Sequence, residues 1–220
     1  MSKTSDRSTL ARFLPTVLTV SAAALLLVSL RLPLWHMRLE APQYKGEEAL
    51  KIAVYPNKYG GDLREIKVLN QYIGVHVPPT LPQFSWLPAL FVGGAVFAVG
   101  ASLLGFRFRR AVLGFSSGIL VAGLVTAAGQ AMFQMHDIGH MRDHHTVLAG
   151  VHDFTPPFLG TSRIAQFTVT SGLGLGAWFV GGAIAFQFAG AFLSRKPLPA
   201  SAQKAVTQNS VEHAELAYQI

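Results

Sequence analysis

The chain has no cysteine, which excludes disulfides, thiolate zinc sites and iron–sulfur clusters together. Any transition metal it holds must use imidazole, thioether, carboxylate or backbone oxygen. Charge is scarce as well: 13% of the residues are Asp, Glu, Lys or Arg, against 50% hydrophobic. That balance places the chain in the membrane class. No glycine-rich phosphate loop followed by Lys and Ser/Thr occurs, which argues against an ATPase. No serine stands in a Gly-x-Ser-x-Gly setting, which argues against a nucleophilic hydrolase. With 220 residues there is room for a handful of spans and one modest exposed region, but not for a separate large enzyme domain.

What is present is organised around apolar runs. The expected fold class is an all-α membrane protein with four transmembrane helices. Residues 1–12 form a polar, basic N-terminus, and residues 13–31 a first span read as an uncleaved signal anchor, because Ser29-Leu30-Arg31 offers no small-x-small cleavage site. Residues 32–85 form a small mixed extracytoplasmic cap between the first two helices. Within it Leu50 to Tyr55 alternates as a half-buried strand should, Pro56-Asn57 and Gly60-Gly61-Asp62 read as turns, and Leu63 to Ile73 as a short helix. The second span covers 86–106, with Trp86 as an interfacial aromatic. A tight turn, 107–110, carries Arg107, Arg109 and Arg110. The third span covers 111–135, a His-rich loop 136–163, the fourth span 164–194, and a cytoplasmic tail 195–220.

Short basic loops dominate the positive-inside rule, so the three-arginine turn faces the cytoplasm in this reading. Both termini are then cytoplasmic, and the expected location is a bacterial inner membrane, multi-pass. The formal charge of +7 lies mostly beside apolar segments, where it orients helices; nucleic acid is not an expected partner. Gly114, Gly118 and Ala122 in the third span, and Ala177, Gly181, Ala185 and Ala189 in the fourth, recur every four residues. Such stripes let helices approach closely, against each other or against a partner. Gln130, Gln134, Gln166 and Gln187 are the polar residues nearest the span interiors, where they more often join helices than line a path.

The stretch from Gln130 to Gly160 concentrates chemistry: it holds five of the eight histidines and three of the five methionines. His136, His140 and His144 are spaced i, i+4, i+8, one face of a continuing helix, with Met135 and Met141 beside them. Asp137 and Asp143 are placed to orient the imidazoles. His76 approaches from the first loop. Imidazole with thioether and no thiolate suits copper better than structural zinc, so copper is the expected cofactor. The competing reading is solvated loop histidines with no metal. Haem fits poorly, because a bis-His haem needs histidines inside the spans.

Two segments also resemble a known family. Ala41-Pro42-Gln43-Tyr44, Gly61-Asp62-Leu63-Arg64-Glu65-Ile66 and Leu69-Asn70-Gln71-Tyr72-Ile73-Gly74 resemble the first outer loop of a poorly characterised family of small four-span membrane proteins. Those proteins are encoded near nitrous-oxide reductase and copper-maturation genes. Asp137-Ile138-Gly139-His140-Met141-Arg142-Asp143 and Phe154-Thr155-Pro156-Pro157-Phe158-Leu159-Gly160 look like its second-loop elements. The chain departs at Gln71 and Val75, where the family pattern has His and Met, and at His144-His145, where a proline follows the aspartate. The resemblance implies a non-enzymatic accessory protein that assists copper supply to, or assembly of, a periplasmic cuproenzyme such as nitrous-oxide reductase. Its partners would be the bilayer and other membrane subunits, a cuproenzyme or a chaperone. The alternative is a metal-free structural subunit of a larger respiratory or photosynthetic membrane complex. A membrane-embedded metalloenzyme is the third reading.

Overall fold

The computed structural model describes residues 3–40, 46–73, 80–140, 155–164 and 167–194. The protein is mostly helical, built from four long helices: α1 (Lys3–Ser29), α3 (Leu87–Leu103), α4 (Phe106–His140) and α5 (Leu175–Leu193). They pack in a ring, α1 against α5 and α3, and α4 against α3 and α5. Three helices are long and apolar enough to cross a membrane, spanning Pro82–Leu103, Phe108–Ile138 and Leu175–Leu193. The apolar part of α1, Phe13–Ser29, is shorter.

The bundle core is made of small side chains and a few large ones. Ala22, Ala23 and Leu26 of α1, Phe91, Ala95 and Ala98 of α3, Leu120 of α4, and Val180 and Ala183 of α5 are all buried together. Alanine at so many inward positions permits close helix approach, which in lipid must come from packing because hydrophobic transfer contributes little there. Large apolar side chains instead face outward, Phe115, Val125, Phe133, Trp178 and Phe192 among them. That inversion is what a lipid-facing surface requires.

An all-α architecture does not hold. A five-stranded antiparallel sheet, of order β3-β2-β1-β5-β4, caps one end of the bundle. Its strands are β1 (Trp35–Glu40), β2 (Leu50–Val54), β3 (Tyr59–Gly61), β4 (Gly160–Ile164) and β5 (Phe167–Leu173). The sheet draws on both connecting stretches, since β1 pairs with β2 on one side and with β5 on the other. β1 alternates Trp35, Met37 and Leu39 with His36, Arg38 and Glu40, so one face is apolar and the other polar. Met37, Leu39, Leu50, Ile52, Val54 and Tyr59 join Ile66 of the short helix α2 (Leu63–Ile73) in a second core. Burial raises the Tyr59 hydroxyl above its ordinary pKa, which keeps it neutral.

The sheet also moves the start of the last helix. Of the run expected to be helical from Ile164, Ile164 closes β4, Phe167–Leu173 is β5, and α5 begins at Leu175. Gly174 donates its N–H to Leu34 O at 2.9 Å, and Gly176 donates to Pro33 O at 2.9 Å. The last helix is thereby docked on the link between α1 and β1.

The other end of the bundle is held by Arg109, which is 6% exposed. Its Nε donates to Ala101 O at 3.0 Å, and its Nη2 donates to Ser102 O at 2.8 Å and to Thr16 Oγ1 at 2.9 Å. A guanidinium on the last carbonyls of α3 gives Ser102 O a donor, adds a second to Ala101 O beside the Leu104 N–H at 3.2 Å, and complements the helix dipole. One of the three turn arginines therefore serves a helix end.

Midway along the interior, Gln187 is fully buried and meets Ser117 Oγ at 3.3 Å, while Ser117 also donates to Leu113 O at 2.7 Å. A hydroxyl has one proton, and the shorter bond takes it. Gln187 Nε2 and Ser116 Oγ are buried without a partner among the described residues. Replacing an unsatisfied buried amide with an apolar group of similar shape is close to neutral or stabilising. Gln187→Leu is accordingly expected to leave the thermal unfolding temperature in detergent unchanged or higher; a loss of about 2 kcal/mol or more would contradict that balance.

Candidate functional site

The outermost turns of α4 carry the site. This helix runs 35 residues, about 52 Å at 1.5 Å per residue, well beyond the roughly 30 Å of a bilayer's apolar core. Its C-terminal turns therefore extend past such a core. They are tied to the start of α3 through Gln83. Gln83, just before α3, donates from Nε2 to Gln134 Oε1, and Gln83 O accepts from Trp86 Nε1 at 2.8 Å. Beyond them, the segment 155–159 runs between the tip of α4 and the sheet.

His136 and His140 are brought together as the i, i+4 spacing requires. Their rings stack with centroids 3.9 Å apart and planes inclined by 29°. His140 Nδ1 lies 2.8 Å from His136 O. A carbonyl can only accept, so Nδ1 carries the proton and the Nε2 lone pair of neutral His140 is left available. The same contact folds the ring back on the last turn of α4, where a histidine commonly sits. His136 Nδ1 lies 3.4 Å from Thr155 Oγ1. Where the imidazole donates, its Nε2 is available as well.

Thr155 is held by its own neighbours. Pro156 and Pro157 stiffen the segment; Phe158 O accepts from Trp35 Nε1 at 2.6 Å, and the two aromatic rings stack at 6.3 Å. Trp35 opens β1 and is buried. The contact to His136 is thus anchored to the sheet. Nothing in the spacing of histidines points to Thr155 or to the His136 carbonyl as ring partners. The signal that was there is the aromatic in each connecting stretch, Trp35 and Phe158.

The geometry is a pair of neighbouring ligands, not a closed metal cage. Two imidazole planes this close to parallel direct their in-plane lone pairs side by side, and these do not converge within a metal–nitrogen bond of about 2.0 Å. One side chain must rotate for both to hold the same ion. Among the described residues no three His, Asp or Glu side chains gather at a common point. Met135 and Asp137 sit on the same turns, half-buried. Among the described residues Asp137 hydrogen-bonds neither ring; the orienting partners are the His136 carbonyl and Thr155. His76, Met141, Asp143 and His144 lie outside the described residues. His36 projects from the polar face of the sheet, with its ring over Gly172. No protein-family model matches the chain, and no curated protein matches it.

Proposed function

We propose that this is a four-span bacterial inner-membrane accessory protein that binds copper through His136 and His140, with His144 and Met141 completing the ligand set. It supplies that copper to a periplasmic cuproenzyme, such as nitrous-oxide reductase, or helps assemble one. The observation that carries the reading is the His136–His140 pair at the projecting end of α4. Adjacent imidazoles with engaged Nδ1 atoms present Nε2 for ligation. The absence of cysteine and the presence of methionine in the same stretch favour copper over structural zinc.

The fourth span is α1, whose apolar part of 17 residues reaches about 25 Å, the short limit for a bilayer. Orientation rests on Arg107 and Arg110, with Lys3, Arg7 and Arg12 entering the bundle at the same end. The Thr16–Arg109 bond supports that grouping. This end is read as cytoplasmic and the sheet as periplasmic.

The test is copper titration into purified protein and into a His136→Ala/His140→Ala/His144→Ala variant. Loss of a supporting partner alone lowers metal affinity by about 10–100-fold, so loss of the ligands is expected to weaken uptake by at least about 100-fold. Equal, weak uptake by both proteins removes the reading.

One observation favours the alternative of a structural subunit in a larger membrane complex. A Cβ added at Gly114, Gly118 or Gly181 would meet nothing within 4 Å, and Ala122 and Ala185 are exposed. The small-residue stripes of α4 and α5 face away from the bundle rather than into each other. Stable co-purification with a larger complex from mild detergent, without copper, is the outcome that would select this alternative.

A further inference from the structure

We propose that the corner between α3 and α4 is a binding site for the phosphate of an anionic phospholipid, of the phosphatidylglycerol type. The corner is a place of uncompensated positive charge. Arg109 is 6% exposed and donates only to neutral acceptors, the carbonyls of Ala101 and Ser102 and the hydroxyl of Thr16. Among the described residues it forms no ion pair; the one ion pair there joins Arg38 to Glu40 in the sheet. Guanidinium offers five N–H donors in a rigid fork, and those on Nε and Nη2 are the ones engaged. Nη1 makes no hydrogen bond among the described residues, so it is the part of the fork left for a further acceptor. Arg110 is exposed beside it, and Arg107 precedes both.

Among the described residues no protein carboxylate pairs with this charge. From Glu65 to Asp137 the chain has no acidic residue, and α5 has none either. In α1 the single acid is Asp6, ten positions before the Thr16 that Arg109 contacts. A buried cation held only by dipoles is left short of its solvation in water, which a neighbouring anion restores. In a bilayer the anion at this depth is a lipid phosphate, and basic pockets between helices are where such headgroups bind.

The apolar surroundings fit the rest of the same molecule. Leu103 is 85% exposed, Phe108 71% and Leu104 43%, on either side of the arginines. Large apolar side chains open to the exterior next to a cation match an acyl chain below a phosphate, not a free anion in water.

The site is tested on the full chain in mild detergent, by native mass spectrometry with phosphatidylglycerol or phosphatidylcholine of matched acyl chains. Each cation near the membrane surface contributes about a fivefold preference for an anionic lipid. Wild type is expected to retain phosphatidylglycerol in clear excess, and Arg110→Gln, an exposed change that leaves the helix contacts intact, to lower that excess about fivefold. Arg64→Gln, on exposed α2, should leave it unchanged. Equal retention of the two lipids by wild type overturns the proposal, as does an excess that survives both Arg110→Gln and Arg109→Gln. Inorganic phosphate that displaces phosphatidylglycerol at low millimolar concentration would reduce the corner to a free-anion site and overturn it too.

Discussion

Gly174→Ala is expected to lower stability by about 3 kcal/mol or more, combining overpacking with the loss of neighbouring hydrogen bonds. A Cβ there would lie 2.1 Å from Pro33 O, 2.8 Å from Pro33 C and 3.2 Å from Leu34 C. All three are backbone atoms, so no side chain can swing away. The junction between β5 and α5 must separate from the link between α1 and β1, breaking the Gly174–Leu34 and Gly176–Pro33 hydrogen bonds. Backbone torsion is not the cause: Gly174 has φ −82° and ψ 169°, which alanine adopts freely. Gly181→Ala in the same region is the contrast, because its Cβ meets nothing within 4 Å. That change is expected to be neutral or to stabilise by about 0.5–1 kcal/mol through helix propensity. Thermal unfolding in detergent separates the two, and equal behaviour of both variants contradicts the steric explanation.

Arg109→Ala is the second large effect, expected to cost about 3 kcal/mol or more, since three hydrogen bonds are lost and those from a charged donor are worth about 1.5–3 kcal/mol each. Removing Arg109 takes its donor from the Ser102 carbonyl, leaves Ala101 O with the Leu104 N–H alone at 3.2 Å, and unlinks α1 from the turn. Arg109→Lys is expected to recover only part of the loss. A lysine ammonium is a point charge, and no single position serves the carbonyls and the hydroxyl as the planar fork does. Full recovery by lysine in the same unfolding assay would show that charge alone matters and that the fork geometry does not.

Both variants bear on how much of the fold was legible in the residues. The cap's β2 and α2 were, because Leu50 to Val54 alternates within a half-buried strand and Leu63 to Ile73 carries its apolar residues on one face. The strands β1, β4 and β5 were not. Phe167 to Leu173 carries no charge and runs straight into α5, so a search for long uncharged runs merges strand and helix. The β-branched Thr168, Val169 and Thr170 and the break at Gly174 carry the distinction. Trp35 to Glu40 was hidden for a different reason: it is a central strand, with β2 on one side and β5, more than a hundred positions away, on the other, and the long-range ladder leaves little trace in a local window.

The site divides in the same way. The i, i+4 spacing of His136 and His140 put them on one helix face, and the rings do meet. Their partners were not legible, because a backbone carbonyl has no residue identity and Thr155 is brought in by the Trp35–Phe158 contact. Aspartates next in sequence to a histidine are natural orienting groups on paper. On an α-helix, however, neighbours in sequence point about 100° apart, and among the described residues Asp137 hydrogen-bonds neither ring.

Copper ligation by His136 and His140 is measured most directly by X-ray absorption on the copper-loaded protein, comparing wild type with His136→Ala/His140→Ala. Imidazole scattering around copper in wild type, lost together with bound copper in the variant, is the expected result. A copper shell identical in the two proteins, or no copper retained by wild type after desalting, contradicts it.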